Sequence, residues 1–347
     1  SIEDIQLLNQ YVAAYGSPKQ YSSAANLPVE NHLTQELQLV AETFRRFGKE
    51  NIEHLAESVH REDRDVPESI ISGLAELGCF GLSIPELYGG TATGTTLDNY
   101  GMVIATEELS RASLSIGGSL ITRPEILARA IVNGGTDNQK QRLLPLIASG
   151  EYMSAVAVTE PDFGSDVAGI STNARRLPDG DWEINGVKTW CTFAGRADLL
   201  MVLARTNPDT SVGHRGLSIF VVEKDRAEGH SFSFRQDHGG KLEGRAISTL
   251  GYRGMHSFEI SFQDWRVPST SLIGGESGEG KGFYLQMAGF ENGRLQTAAR
   301  AVGVMQRAYE EALLYSKDRK VFGSPLADYQ LTQFKLGRMS SLIHACR

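Results

Sequence analysis

The period of the hydrophobic residues changes twice along this chain, and this change restricts its possible folds more than any other feature. From His32 to about Gly150, apolar residues recur every three or four positions, which is typical of amphipathic helices. From Tyr152 onward, short β-rich runs alternate with turn signals. After Gly282 the helical period returns. This order predicts an α+β protein with several domains.

We divide the chain accordingly into an extension (1–30), an N-terminal α-helical domain (31–150), a middle β domain (151–272) and the first part of a C-terminal helical bundle (273–347). The extension is expected to contain one helix, from Ile2 to Tyr15. No glycine-rich turn links a strand to a helix in a βαβ unit. This argues against a nicotinamide-type nucleotide fold, so a nucleotide cofactor would have to bind in another way.

Local signals predict where several elements begin, turn and end. Pro67 is expected to begin a helix that stops at Gly78, and Asp137 is expected to cap another helix. The dipeptide Asn185-Gly186 predicts a tight hairpin turn between two strands.

The last part of the chain is predicted to contain two consecutive helices. The first spans Phe283 to Ser316, and the second begins at Ala327. Apolar positions of the second helix continue to the final residues, so we expect this helix to extend beyond Arg347.

Net charge and cysteine content indicate which kinds of binding partner and which cellular compartments suit this chain. The formal net charge of −8 disfavours a general nucleic-acid binder, which would need a basic surface. No apolar run approaches the roughly 18–20 residues that a membrane span needs, and no secretory signal is recognisable at the N-terminus. Cys79, Cys191 and Cys346 show no metal-binding spacing. We expect a reducing compartment, no metal site, and a cytoplasmic location, or the mitochondrial matrix if the source is eukaryotic.

The segment Val158–Asp166 is the first candidate for chemistry. A short apolar strand that includes Val156 and Val158 leads into Thr159, and a turn containing Gly164 and Ser165 follows. A hydroxyl and free backbone N–H groups at the end of a strand suit the polar edge of a planar heterocycle, and glycine permits close approach of the backbone. The same pattern is also typical of an ordinary strand followed by a polar turn.

The segment Asn185–Thr192 is the second candidate. Because side chains alternate along a strand, Lys188, Trp190 and Thr192 are expected to share one face. An indole beside a hydroxyl can pack against a flavin ring while the hydroxyl donates a hydrogen bond. An isolated tryptophan is otherwise more often a core residue.

Together these two segments resemble the flavin motifs of the acyl-CoA dehydrogenase family. Two further segments, Arg253-Gly254 through Pro268 and Arg319–Gly323 with Gln330, resemble the end of the family's β domain and its flavin-binding helix-loop. The resemblance spans about Leu33 to Arg347. Cys191 and Phe193 depart from the family's usual residues. The resemblance implies an N-terminal helical domain, a β-barrel-like middle domain and a C-terminal helical bundle.

The resemblance also implies roles for particular residues. FAD would be bound within one subunit by the strand and turn residues just described, and by a neighbouring subunit at the end of the long helix. The FAD-binding set is Val156, Val158, Thr159, Gly164, Ser165, Trp190, Thr192, Arg319, Phe322 and Gln330. The acyl-CoA-binding set is Ser165, Phe290, Glu291, Arg294 and Arg123. In these sets Arg319 is also compatible with a solvated helix end, and Glu291 with a surface carboxylate.

The reaction implied by the resemblance is α,β-dehydrogenation of a CoA thioester, in which a glutamate removes the α-proton. Most members carry this glutamate late in the C-terminal domain, and some carry it immediately before the arginine that corresponds to Arg294. Gly293 occupies that position here, and Glu291 lies about 200° away around a helix. We therefore expect the base beyond Arg347, with an inactive form as the alternative.

Three stretches, around Lys241–Ala246, Gly251–Ser257 and Phe290–Arg300, look closer to the branch of the family that oxidises (2S)-methylsuccinyl-CoA to mesaconyl-CoA. A substrate with a free carboxylate needs a cation or several donors in its pocket, for which Arg123 is the candidate, although it could equally be a surface arginine. Isovaleryl-CoA, isobutyryl-CoA and short-chain substrates remain alternatives, as does a non-catalytic flavin-binding protein. The resemblance further implies electron-transferring flavoprotein as the oxidant and a homo-oligomer, a dimer of dimers.

Overall fold

A computed structural model describes residues 33–347 of the chain. The predicted extension and its helix from Ile2 to Tyr15 lie outside this range. In the described part, no helix combines the length and the apolar character that crossing a bilayer would require.

The first part of the described chain, up to Ala148, is helical, as the apolar period predicts. Its helices are α1 (Gln35–Phe47), α2 (Glu53–Glu62), α3 (Glu68–Glu76), α4 (Thr96–Ala112), α5 (Thr122–Gly134) and α6 (Asp137–Ala148). Gly78, which follows α3, adopts a left-handed φ of 69°, as a helix-terminating glycine should. Their shared core includes Phe44, Ile70, Leu74 and Leu109.

The prediction that Asp137 caps a helix is wrong by one residue. Thr136 is the cap of α6: its hydroxyl accepts a hydrogen bond from the backbone N–H of Gln139 (3.2 Å). The Gln139 side chain in turn accepts one from the backbone N–H of Thr136 (3.0 Å). This reciprocal capping box satisfies two N–H groups, whereas Asp137 is simply the first helical residue.

The middle of the chain forms one curled, mostly antiparallel sheet. Its strands are β1 (Ser154–Ala157), β2 (Asn173–Arg176), β3 (Trp182–Thr192), β4 (Leu199–Arg205), β5 (Leu217–Glu223), β6 (Ser231–Arg235), β7 (Lys241–Ala246) and β8 (Ser257–Val267). The strand order is β1-β4-β2-β3-β8-β7-β6, and β5 pairs with β4. One sheet face surrounds a core that includes Trp182, Phe220 and Phe258.

The Asn185-Gly186 hairpin predicted from the sequence is not formed. The dipeptide lies inside the continuous strand β3, where the pairing register with β8 shifts between Ile184 and Gly186. Gly186 has a φ of 147° at this bulge. The reason is tertiary: both halves of β3 pair with the same long strand, and Asn185 Oδ1 accepts a hydrogen bond from the Asp264 backbone N–H (2.8 Å).

The last part of the chain forms a helical hairpin that packs against the N-terminal domain. Its elements are α7 (Gly282–Asp318), β9 (Lys320–Val321), β10 (Ser324–Pro325) and α8 (Gln330–Cys346). The long helix packs closely on α4, because Gly303 leaves room for the Glu107 carbonyl: a Cβ there would lie 2.3 Å from that oxygen. Arg111 and Glu310 join the same two helices in an ion pair of 2.7 Å.

Candidate functional site

The two candidate motifs from the sequence are joined directly in the structure. The backbone N–H of Thr189 donates to the carbonyl of Thr159 (2.8 Å). Lys188 Nζ donates to the Val158 carbonyl and to Glu160 Oε1, each at 2.9 Å. The side chains of Lys188 and Glu160 are 0% and 3% exposed. A buried ion pair therefore ties the end of β1 to the middle of β3, a contact that sequence analysis missed.

The carboxylate of Glu160 is held by more than one donor. Its oxygens also accept hydrogen bonds from the backbone N–H and hydroxyl of Ser171 (2.7 Å each) and from the backbone N–H of Thr172 (2.8 Å). Burial by itself raises the pKa of Glu160, but the charge of Lys188 and these hydrogen bonds together lower it to about 2. Burial also lowers the pKa of the Lys188 ammonium, so this cation depends on Glu160.

The expectation that Lys188, Trp190 and Thr192 share one strand face is wrong. A second register shift falls between Lys188 and Cys191, and Trp190 has a φ of 57°, in the left-handed region. Lys188 is turned into the core, whereas the indole of Trp190 is 56% exposed. Thr192 is buried, and its hydroxyl lies 2.9 Å from that of Ser257. The bulge thus separates a structural lysine from an outward-facing indole.

A cavity of about 710 Å³ lies where the β domain meets α5 and α7. This size falls within the range of small-molecule and cofactor sites. The cavity collects most of the residues that the sequence analysis selected from distant parts of the chain. These are Arg123, Val156, Val158, Thr159, Trp190, Thr192, Phe290 and Arg294.

The remaining predicted residues do not line this cavity. Gly164 and Ser165 lie in an exposed turn, with open space beside Gly164. Glu291 is exposed on α7. Arg319, Phe322 and Gln330 are exposed near the far end of the helical hairpin. With a rise of 1.5 Å per residue, Arg319 is about 27 Å along the helix from Ala301, which lines the cavity.

Arg123 is part of a cluster that the sequence did not reveal. The hydroxyl of Tyr252 accepts hydrogen bonds from Arg123 (3.1 Å) and Arg300 (2.7 Å). Both arginines line the cavity. In the described part of the chain, neither guanidinium forms an ion pair with a carboxylate. Burial raises the pKa of Tyr252, but the charges of Arg123 and Arg300 and the hydrogen bonds to its hydroxyl together lower the pKa below its ordinary value.

Arg300 and Tyr252 both lie in sequence stretches that resemble one branch of a family, but the sequence alone assigns neither residue a role. Nothing in their local sequence indicates that Tyr252, which precedes β8, would meet Arg300 of α7 (2.7 Å).

No aspartate or glutamate is among the described residues that line the cavity. Three carboxylates adjoin cavity residues in the sequence: Glu125 beside Ile126, Glu160 beside Thr159 and Glu291 beside Phe290. Glu160 is paired with Lys188, and Glu291 is exposed on α7. Glu125 is buried, which raises its pKa, but its Oε1 accepts hydrogen bonds from Arg129, from Ser83 (3.3 Å) and from Asn292 (3.2 Å). These hydrogen bonds join α5 to α7, so Glu125 stabilises the packing of the two helices.

The residues around the cavity are suited to a flat heterocycle with a polar edge. Trp190 presents an exposed indole that a ring can stack on. The lining threonines Thr159 and Thr192 supply hydroxyls beside it. From α7, Phe290 and Arg294 offer an apolar surface and a cation to the same cavity. A flavin and a chain-like anionic substrate are both compatible with these residue types.

Comparisons with known families agree with this geometry. The N-terminal domain model of acyl-CoA dehydrogenases matches residues 34–151, the middle-domain model matches 155–265, and the C-terminal-domain model matches 280–347.

Two curated relatives illustrate the range of similarity. The chain is 42% identical over 317 residues to a (2S)-methylsuccinyl-CoA dehydrogenase of Cereibacter sphaeroides, an alignment that covers 91% of this chain and 55% of that protein. The chain thus spans about half the length of this relative. It is 33% identical over 309 residues to a mitochondrial isovaleryl-CoA dehydrogenase of Arabidopsis thaliana, covering 88% and 70% of the two chains.

Solved structures share the fold. A glutaryl-CoA dehydrogenase in complex with glutaryl-CoA has a TM-score of 0.80 at 29% identity, over 90% of this chain and 74% of that one. A glutaryl-CoA dehydrogenase of Mycobacterium smegmatis in complex with FADH2 has a TM-score of 0.77 at 26% identity, over 92% and 75%. The predicted helical, β and helical order and the predicted cofactor are therefore confirmed: the chain belongs to the acyl-CoA dehydrogenase family, whose cofactor is FAD.

Proposed function

We propose that this chain binds FAD and an acyl-CoA thioester in the cavity between the β domain and α7, as part of an enzyme that dehydrogenates the acyl group between its α and β carbons. The observation that carries the proposal is the meeting of Thr159, Trp190 and Thr192 with Phe290 and Arg294 around one cavity. FAD, when bound, supplies the acceptor for the β-hydrogen, which leaves as a hydride.

The chain's own residues are proposed to bind and orient the two ligands. Trp190, Thr159 and Thr192 supply a stacking surface and hydroxyls for the flavin, with Val156 and Val158 as apolar contacts. The exposed turn with Gly164 and Ser165 is proposed to lie along the flavin and the thioester arm. Arg294 of α7 is a cation for the polar part of CoA, one helical turn from the apolar ring of Phe290. Glu291 stays a surface contact to the CoA arm in this proposal.

The substrate that we propose is a short acyl-CoA with a free carboxylate, (2S)-methylsuccinyl-CoA, which would be oxidised to mesaconyl-CoA. The support is the pair Arg123 and Arg300, held 3.1 and 2.7 Å from the Tyr252 hydroxyl at the cavity wall. Two partly buried guanidinium groups with no carboxylate partner in the described part of the chain favour a ligand that brings an anion. The identity of 42% with a methylsuccinyl-CoA dehydrogenase is consistent with this choice.

The proton acceptor is proposed to come from outside residues 33–347, because the described lining residues include no carboxylate. Glu125 does not fit the role, since it does not line the cavity and its Oε1 is held by Arg129 and by Asn292 (3.2 Å). The same observation also favours a second candidate function, a flavin-binding protein that does not catalyse the reaction.

A neighbouring subunit is proposed to complete the flavin site. The residues expected to contact FAD from a second copy, Arg319, Phe322 and Gln330, are exposed and far along the helix from their own chain's cavity. Phe322, at a hairpin tip, is 96% exposed. We propose a dimer of dimers, with electron-transferring flavoprotein as the oxidant, in the cytoplasm or in the mitochondrial matrix. The three cysteines are free, which suits such a reducing compartment.

Anaerobic titration of the purified protein tests the proposal. Flavin absorbance is followed while methylsuccinyl-CoA, isovaleryl-CoA and butyryl-CoA are added in separate experiments. Bleaching by methylsuccinyl-CoA at the lowest concentration is the expected result. If isovaleryl-CoA alone bleaches the flavin, the proposed substrate is wrong and isovaleryl-CoA takes its place. Bound flavin that no acyl-CoA bleaches would favour the non-catalytic function, and absence of flavin would contradict both.

A further inference from the structure

A second cluster of chemically active side chains lies where the N-terminal helical domain meets the β domain, apart from the residues that line the cavity. Asp63 follows the last residue of α2, His230 precedes β6, and His256 precedes β8. One potential ligand atom from each lies within 4.8 Å of the other two. Sequence analysis predicted no metal site, because it considered the cysteines alone and these three residues lie in separate parts of the chain.

The distances among these three residues are close to those between the ligands of a small tetrahedral cation. The Nε2 atoms of His230 and His256 are 3.0 Å apart. His256 Nε2 is 3.2 Å from Asp63 Oδ1, and His230 Nε2 is 3.6 Å from Asp63 Oδ2. With zinc–ligand bonds of about 2.0–2.1 Å, the edges of a tetrahedron measure about 3.3–3.4 Å. The two separations from His256 Nε2, 3.0 and 3.2 Å, are slightly shorter than this edge. The 3.6 Å separation from His230 Nε2 is slightly longer, and it involves the other oxygen of Asp63.

The surroundings of His256 resemble the outer shell of a metal site. Its Nδ1 lies 2.9 Å from Asp65 Oδ1, and the other Asp65 oxygen accepts a hydrogen bond from the Gly229 backbone N–H (2.7 Å). A carboxylate on Nδ1 favours the proton on that nitrogen, so that Nε2 offers a lone pair to a metal ion. A cation between Nε2 and the Asp63 carboxylate would take the place of the proton in their hydrogen bond (3.2 Å).

Charge and exposure at the cluster are compatible with a divalent ion. Two carboxylates, Asp63 and Asp65, face it, and Arg253 is the nearby fixed cation, with its Nε 3.6 Å from Asp63 Oδ1. The side chain of His256 is buried, whereas those of His230 and Asp63 are about half exposed. An ion could therefore enter from solvent and keep a water molecule in the fourth position.

We propose that Asp63, His230 and His256 form a site for one divalent transition-metal ion, zinc in the first instance, that joins the N-terminal helical domain to the β domain. Imidazole nitrogens and one carboxylate are ligands that zinc accepts readily. The site is distinct from the cavity proposed for FAD and acyl-CoA, so its test does not depend on catalysis.

The site would also fix a segment that leads to the cavity. The backbone N–H of Phe193 donates to the carbonyls of Met255 (2.9 Å) and His256 (2.8 Å). The next residue, Ser257, meets Thr192 in the cavity wall at 2.9 Å. A metal on His256 would therefore hold the strand connection behind Thr192 in place.

Cobalt substitution tests the site on the full chain as purified. Metal-stripped protein is titrated with Co²⁺ alone, and the visible d–d bands and bound metal per chain are measured, with Zn²⁺ as the competitor. The expected result is one Co²⁺ per chain, intense bands typical of four-coordinate geometry, and their loss when one equivalent of Zn²⁺ is added. No saturable binding by the wild-type protein would overturn the proposal and leave a proton as the occupant of the cluster.

Variants separate this site from adventitious binding. His230→Ala and Asp63→Asn should each lower Co²⁺ affinity by about 30-fold or more. Asparagine tolerates the left-handed φ of 55° at position 63, so that variant keeps the backbone conformation. His238→Ala, at another exposed histidine, is the matched control and should bind as the wild type does. Equal binding by the wild type and both site variants, with circular dichroism unchanged, would overturn the proposal.

Discussion

The Nζ atom of Lys188 lies 2.9 Å from Glu160 Oε1, and both side chains are buried beneath the two segments proposed to bind FAD. The same ammonium group donates to the Val158 carbonyl (2.9 Å), one residue before Thr159. The pair therefore holds the end of β1 at a set position on β3. We infer that the two residues act as structural supports of the flavin site without touching its ligands.

Replacing Glu160 by glutamine should cost about 3–5 kcal/mol of the free energy of unfolding, because Lys188 would stay buried without its counter-charge. Urea unfolding of E160Q and wild type measures this difference. Glu57→Gln is the matched control: Glu57 pairs with Arg61 at 2.7 Å on an exposed helix surface, where removal should cost less than about 1 kcal/mol. Similar losses in both variants would contradict the role assigned to the buried pair.

The contribution of Glu160 to the free energy of unfolding should decrease in acid. Its pKa is about 2 in the folded protein, against an ordinary value of 4.5. A carboxyl group whose pKa is lowered by folding stabilises fully above the unfolded pKa and loses this effect as pH falls through the folded pKa. The stability difference between wild type and E160Q should be constant from about pH 7 to pH 5.5, and smaller by about 2 kcal/mol at pH 3. A difference that stays constant down to pH 3 would argue against an ionised Glu160.

Arg300→Met should weaken binding of a carboxylate-bearing substrate selectively. Loss of one charge-assisted contact corresponds to about 1.5–3 kcal/mol, or roughly a 10- to 150-fold higher half-saturation concentration for methylsuccinyl-CoA. Binding of isovaleryl-CoA should change less than threefold. Spectral titration of the flavin measures both. Arg294→Met is the comparison, because losing a residue that contacts CoA should weaken the binding of both acyl-CoA ligands equally. If R300M also weakens both equally, the carboxylate assignment is wrong.

Phe322→Ser should reduce both oligomerisation and flavin retention, if the hairpin tip completes the site of a neighbouring subunit. Analytical ultracentrifugation and the ratio of flavin to protein after gel filtration measure the two effects. Leu250→Ser is the control, since Leu250 is fully exposed in a loop of the β domain. A variant at position 322 that keeps its flavin and its oligomeric state, like the control, would remove this residue from the proposed interface.

The helical and strand segments could be predicted because each carries its own periodic pattern. The helix ending near Gly78 and the long helix after Gly282 both appear where the sequence placed them. The flavin motif residues Thr159, Trp190 and Thr192 were also identified, and they line one cavity. The prediction from local sequence was wrong at Asn185-Gly186. The dipeptide favours a hairpin, but pairing of β3 with β8 holds it inside a strand.

The sequence by itself determined the order of domains, the family and part of the set of residues at the cavity wall, because periodicity and motifs are properties of short segments. Only the tertiary structure decided which charged groups meet. Lys188 reaches Glu160 across 28 residues, and His256 reaches Asp63 across 193. The pairing of Arg123 with Arg300 through Tyr252 likewise depends on α5, α7 and the β domain converging. Such contacts follow from packing of the whole chain, since electrostatic interactions depend on distance in space and no local pattern encodes that distance.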